Sequence, residues 1–184
     1  MALLTRGEAI RILEENVRRR NIFLHMLAVE AIMRGLARRL GGDEELWGLT
    51  GLLHDVDFDR TAEDFERHGL EAASILGDSV PREVLDAIRA HNSKIGEPRT
   101  PMENALVASD AASGLIIACA LVMPSKRLEE VTLEGLIRKF KDKDFARGAD
   151  RGRILFCERL GLSRDEFLRI ALDSLKSIAP SLGL

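Results

Sequence analysis

Histidine and aspartate residues next to apolar runs are the part of this sequence that could do chemistry. His54 and Asp55 are adjacent and directly follow two leucines. Asp110 lies among small and apolar residues, where a carboxylate is costly unless it is paired or binds a metal ion. Imidazole and carboxylate groups are ligands of Fe, Mn, Ni, Co and Zn, so these residues indicate a divalent metal site. The four histidines, each in a separate segment, are His25, His54, His68 and His91.

In their order along the chain, these residues resemble the HD superfamily of metal-dependent phosphohydrolases. That family is named for an adjacent His-Asp pair, with a histidine upstream and an aspartate downstream. The resemblance covers about residues 20–115, and its specificity lies in the ordered set rather than in any one piece. The matching segments are Phe23-Leu24-His25-Met26-Leu27-Ala28-Val29, Leu52-Leu53-His54-Asp55, His68-Gly69-Leu70-Glu71-Ala72-Ala73, Ile88-Arg89-Ala90-His91 and Ala108-Ser109-Asp110.

The resemblance implies a cofactor of one or two divalent metal ions per chain and gives roles to the candidate residues. Asp55 would bridge the two ions and act as a catalytic residue, and Asp57 would orient the attacking water or only solvate a loop. His68 and His91 would complete a second site, unless they are structural residues near helix ends, where an imidazolium is favoured by about 0.3–1 kcal/mol. The first ion would be bound by His25, His54, Asp55 and Asp110.

A metal-dependent phosphohydrolase that acts on a nucleotide or another small phosphoester is the function that the resemblance implies. Two alternatives stay open, namely a di-iron oxygenase of the same fold and a non-catalytic nucleotide-binding or regulatory protein. The substrate also stays open, because Asn92 follows His91 where the cyclic-dinucleotide phosphodiesterase branch usually has a second histidine. The lysine that often follows the His-Asp pair in that branch is missing as well.

The basic residues after Pro124 are candidates for binding a substrate phosphate. They lie in a run in which acidic residues alternate with basic ones, and such runs usually form a solvated face. The functional alternative is that one or two of these cations turn toward the metal ions. The substrate-binding candidates are Lys126, Lys141, Lys143 and Arg147.

Composition predicts a soluble cytoplasmic protein without a membrane or nucleic-acid partner. The formal net charge of −3 gives no electrostatic reason to bind nucleic acid. The N-terminal residues 1–6 turn polar too early for a secretory signal, and the apolar run 111–123 is shorter than the ~20 residues that cross a bilayer. Cys119 and Cys157, which lack a C-x-x-C spacing, are expected to be buried reduced thiols.

Helical periodicity throughout predicts an all-α bundle of the HD-domain type that positions these residues. One domain is expected over residues 1–184, with a metal-site core at about 20–115 and C-terminal helices in 125–184 packing on it. Thr5 with Glu8 predicts a capping box, and Asn21 is expected to cap the second helix. The expected helices are 6–19, 21–40, 43–57, 66–76, 81–91, 101–122, 133–140, 150–160 and 164–179.

Overall fold

The computed structural model describes residues 4–184, and every regular element in that range is helical. The prediction of an all-α fold is therefore confirmed. Short 3-10 turns occupy Gly77–Ser79, Leu128–Glu130 and Leu155–Leu160. The α-helices are α1 (Arg6–Asn16), α2 (Arg20–Leu40), α3 (Glu44–Leu53), α4 (Phe58–Thr61), α5 (Ala72–Leu76), α6 (Arg82–His91), α7 (Pro101–Leu121), α8 (Leu133–Lys141), α9 (Arg151–Ile154), α10 (Arg164–Ser177) and α11 (Ala179–Leu182).

Side-chain caps start several of these helices. Thr5 and Glu8 form the predicted capping box at α1, and Thr100 forms an equivalent box at the start of α7. The prediction for Asn21 is wrong, because α2 begins at Arg20 and has no side-chain cap. Packing of α2 against other helices, rather than a local cap, therefore determines where this helix begins.

Helices α2 and α3 approach each other closely, and this contact positions the His-Asp pair. A Cβ atom at Gly51 would lie only 2.9 Å from the carbonyl oxygen of Val29 and 2.9 Å from Cγ of Met33. Only glycine leaves room for the two backbones at this point. The contact brings His54, just after α3, toward His25 near the start of α2.

The longest apolar helix, α7, forms the centre of the protein and holds Asp110. It packs against α2, α6, α9 and the 3-10 turn at Leu155–Leu160. By length and composition α7 could cross a membrane, but 72% of its most apolar window is buried inside the protein. Such burial is compatible with a core helix of a soluble protein, and a cytoplasmic location stays a prediction.

Two hydrophobic clusters form the core, and α2 contributes to both. Met26 packs with residues of α1, α3, α5 and α6, whereas Ala28 packs with residues of α7, α8 and α10. The helices after residue 125 therefore pack on the segment that holds the candidate ligands. Cys119 and Cys157 are free and buried, and burial raises the pKa of each thiol to about 11.

Several predicted helices differ from the structure in their extent. The segment expected to form a helix over residues 66–76 is a series of turns up to Glu71, because Gly69 has a φ of +86°. A Cβ atom at Gly69 would also lie 2.9 Å from the carbonyl oxygen of Ile88. The predicted helices 6–19, 43–57, 150–160 and 164–179 end earlier, at Asn16, Leu53, Ile154 and Ser177.

Substitution of Gly51 tests the close contact between α2 and α3. We expect Gly51→Ala to lower the free energy of unfolding by about 1–3 kcal/mol, as other overpacked cores do. Gly114→Ala is the matched control, because Gly114 is also inside a helix but no described atom lies within 4 Å of the position that an added methyl group would take. The control should gain up to about 1 kcal/mol from helix propensity. Urea unfolding of metal-free protein measures both, and equal stability of Gly51→Ala and wild type would contradict the close contact.

Candidate metal centre

The structure brings all six ligand-type residues into one cluster, although they come from five separate segments. His25 lies in the second turn of α2, and Asp110 lies near the middle of α7. His54 and Asp55 directly follow α3, His68 lies in the turns before α5, and His91 ends α6. Helix ends and turns thus supply most of the ligands, since they let adjacent side chains point toward one place.

The imidazole Nε2 atoms and the carboxylate oxygens face one another at short range. Nε2 of His25 lies 3.2 Å from Nε2 of His54, and Nε2 of His68 lies 3.1 Å from Nε2 of His91. Oδ1 of Asp55 lies 3.1–3.5 Å from Nε2 of His54, His68 and His91. Its Oδ2 is turned to the other side, 3.7 Å from Nε2 of His25. The Asp55 carboxylate therefore lies between two groups of histidines, with His25 on one side and His54, His68 and His91 on the other.

The Nδ1 atoms of His54 and His91 are held by backbone carbonyls of the preceding helical turn. Nδ1 of His54 lies 2.8 Å from the carbonyl oxygen of Gly51, and Nδ1 of His91 contacts that of Ile88 in the same way. A carbonyl only accepts, so each Nδ1 carries the hydrogen. In the neutral ring Nε2 then has the lone pair that binds a metal ion.

The other two histidines are oriented by side chains. The Ser113 hydroxyl donates to the carbonyl oxygen of Asp110 at 2.9 Å, so it accepts from Nδ1 of His25 at 3.0 Å. Nδ1 of His68 lies 2.9 Å from Oδ1 of Asp57, although without the alignment of a good hydrogen bond. All four rings thus turn Nε2 toward the cluster and Nδ1 away from it.

This arrangement fits a divalent metal ion. Lone pairs on four Nε2 atoms and two carboxylates oppose one another in a buried space unless protons or a cation lie between them. Two sets of ligand atoms lie within 4.8 Å of one another, namely those of His25, His54 and Asp110 and those of His54, Asp55 and His91. The donor types are those of Fe, Mn, Co, Ni and Zn sites.

The electrostatics of the cluster favour ionised carboxylates and at least one neutral imidazole. Burial lowers the pKa of His54 to about 4, so this ring is neutral at pH 7. Burial opposes ionisation of Asp55, but the surrounding histidines outweigh it and hold its pKa well below the usual range. Burial also lowers the pKa of His68, yet the neighbouring carboxylates of Asp55 and Asp57 raise it to about 9. A metal ion bound by His68 would displace a proton from this ring.

Asp57 lies behind His68 and supports it. Its side chain is fully buried, and its Oδ2 accepts hydrogen bonds from the backbone amides of Gly69 at 2.7 Å and Ala72 at 3.0 Å. These bonds fix the turn that carries His68. This position behind His68 is that of a positioning residue, and the catalytic role expected for Asp57 stays a prediction.

A protein-family model described as HD domain matches residues 22–143 of this chain. The chain belongs to the HD domain family. The match confirms the resemblance seen in the sequence and spans all six ligand-type residues. Proteins of this family are generally metal-dependent phosphohydrolases. No curated protein and no solved structure matches the chain.

Next to the metal-ligand cluster of this HD domain lie two cavities that share Asp110 and Arg153. Oδ2 of Asp110 accepts a hydrogen bond from Nη2 of Arg153 at 2.8 Å. The smaller cavity, of about 120 Å³, is lined by Asp55, Phe58, Phe65, His68, His91, Asn92, Asp110 and Arg153. The larger cavity, of about 440 Å³, is lined by His25, Asp110, Ala111, Gly114, Ala146, Gly148, Ala149, Asp150 and Arg153.

Arg153 is the positively charged residue at these cavities. It was not among the substrate-binding residues predicted from the sequence. It lies ten residues beyond the match to the HD domain, in the four-residue helix α9. Its neighbour Ile154 is fully buried, so this segment faces the core. The four predicted substrate-binding residues are exposed, and neither cavity is lined by them within the part of the chain that the structure describes: Lys126, Lys141, Lys143 and Arg147.

Metal stoichiometry tests whether His68 and His91 are ligands. We expect wild-type protein reconstituted with Mn²⁺ or Fe²⁺ to bind two ions per chain, because the Asp55 carboxylate faces histidines on both sides. Replacing His68 and His91 with alanine should leave one ion, since His25, His54 and Asp110 remain. Elemental analysis of gel-filtered protein gives the count. An unchanged count in the double variant would show that the two histidines are structural.

Proposed function

We propose that this HD domain protein is a metal-dependent phosphohydrolase that acts on a nucleotide or another small phosphoester. The observation that carries the proposal is the largely buried set of six ligand-type side chains that opens directly into a cavity beside an arginine. Two divalent ions bound by this set would supply a nucleophile at neutral pH and stabilise charge on the transferring phosphoryl group.

Arg153 would hold the phosphoryl group of the substrate. A guanidinium has five N–H donors in a planar fork that matches phosphate oxygens, and the bond to Asp110 uses only part of them. The side chain is about one quarter exposed, so it is accessible from the cavities. Because Arg153 also contacts the ligand Asp110, it would fix the phosphoryl group at a constant distance from the metal centre.

The cavities favour a small substrate over a macromolecule. A volume of about 440 Å³ is within the range of small-molecule sites. The net charge of −3 gives the surface no general attraction for nucleic acid. A nucleotide or a phosphorylated metabolite of similar size is therefore the substrate class that we propose.

Phosphate release from a substrate panel tests this function. Protein reconstituted with Mn²⁺, Fe²⁺, Co²⁺, Ni²⁺ or Zn²⁺ should hydrolyse at least one of a panel of nucleoside phosphates, cyclic nucleotides and sugar phosphates. Asp55→Ala should lose bound metal and activity together, because Asp55 contacts both groups of histidines. Oxygen consumption by the reduced iron form, without phosphate release, would instead identify an oxygenase.

Arg153→Gln provides the matched variant with an intact ligand set. It should keep the metal content of wild type and raise KM by about 10- to 100-fold, equivalent to the ~1.5–3 kcal/mol of a hydrogen bond to a charged group. Arg153→Lys should recover part of this loss, since a lysine retains the charge but not the fork. Wild-type KM in Arg153→Gln would contradict the phosphate-binding role.

A further inference from the structure

We propose that the larger cavity holds the leaving group of the substrate and that Gly114 sets the largest leaving group that fits. This inference rests on the proposed phosphohydrolase function and deepens it. In the reaction, water adds its oxygen to phosphorus, the P–O bond to the leaving group breaks, and the released alcohol takes up the remaining proton.

The position of Arg153 between the two cavities fixes the direction of the substrate. The smaller cavity adjoins Asp55, His68 and His91, and its volume of about 120 Å³ is suited to a phosphoryl group. The larger cavity shares Asp110 and Arg153 with the smaller one, has none of Asp55, His68 and His91 in its lining, and is more than three times as large. A phosphoryl group bound at Arg153 would therefore direct its ester substituent into the larger cavity.

No close contact with another element requires a glycine at position 114. Gly114 lies inside α7, where a glycine is less favourable than alanine. Other helical glycines, Gly48 and Gly51, have neighbouring atoms within 3 Å of a Cβ position, whereas at Gly114 no described atom beyond its chain neighbours and its own helix backbone lies within 4 Å of that position. The space next to Gly114 belongs to the larger cavity, so a side chain here would fill the cavity instead of disturbing the core.

One wall of the larger cavity is held in place by Arg151. This wall consists of Ala146, Gly148 and Ala149, which lie in the loop between α8 and α9. The Arg151 guanidinium donates hydrogen bonds of 2.6–3.3 Å to six backbone carbonyls of this region, those of Lys139, Phe140, Asp142, Phe145, Ala146 and Ala149. A wall held this way resists displacement, so the cavity has a defined width.

The chemistry of the lining favours an uncharged leaving group. Apart from Arg153 and the metal-ligand residues His25 and Asp110, the one charged side chain that the described residues place in the lining is Asp150. Asp150 caps α9 by accepting from the amides of Gly152 and Arg153, and it would repel additional phosphates. Small alanine and glycine surfaces make up the rest. A nucleoside monophosphate, whose leaving group is an uncharged nucleoside, fits these walls better than a nucleoside diphosphate or triphosphate.

Gly114→Leu tests the assignment by binding as well as by turnover. Isothermal titration of metal-loaded protein should show that the variant binds adenosine 5′-monophosphate at least about tenfold more weakly than wild type, the cost of modest overpacking. Its affinity for inorganic phosphate should stay within about twofold, because phosphate would bind at Arg153. Gly114→Ala should show a smaller loss of affinity for adenosine 5′-monophosphate than Gly114→Leu. Because alanine is the smaller change, this variant can be measured even if leucine impairs folding.

Gly7→Leu is the matched control. Gly7 is an exposed helical glycine of α1 whose Cβ position has no described atom within 4 Å, and it does not line the larger cavity. This control should bind both ligands as wild type does. Wild-type affinity of Gly114→Leu for adenosine 5′-monophosphate, or tighter binding of adenosine triphosphate than of the monophosphate to wild type, would overturn the proposal. If binding follows the expectation but no phosphoester is hydrolysed, the cavity assignment holds and the phosphohydrolase function fails.

Discussion

Four imidazole nitrogens and two carboxylates face one another at short range in this protein. Their lone pairs and negative charges repel, and the fold must compensate for this repulsion. Nε2 atoms of four histidines and the oxygens of Asp55 and Asp110 lie within a few ångströms of one another, and His54, Asp55, His68 and His91 are buried. A protein interior tolerates such a set only when protons or cations lie between its members. The folded chain is thus matched to a metal ion, and binding of that ion should be coupled to stability.

Backbone carbonyls and neighbouring side chains together hold the ligands in this opposed arrangement. His54 and His91 each follow a helical turn whose carbonyl fixes Nδ1, and Asp57 fixes the turn around His68 by accepting from two backbone amides. The close contact at Gly51 then sets the distance between the segments of His25 and His54. These supports explain why a small all-α domain can keep six ligand-type side chains together.

The sequence predicted the helices and the ligand-type residues more fully than the surroundings of the site. Capping residues such as Thr5 and Thr100 act on nearby amides, and the histidines recur in a recognisable order, so both are visible locally. The turn at Gly69 was missed because its positive φ depends on contact with Ile88, which is distant in sequence. Arg153 was missed for the same reason, since its role comes from a bond to Asp110 across 43 residues.

X-ray diffraction at the absorption edge of the bound metal, from crystals of reconstituted protein, would locate the metal ions. We expect anomalous peaks inside the cluster, at about 2.0–2.2 Å from histidine Nε2 atoms and carboxylate oxygens. One peak should adjoin His25, His54 and Asp110, and a second should adjoin His68 and His91, with Asp55 between them. Anomalous peaks only at other positions, with these six side chains uncoordinated, would show that the cluster is not a metal site.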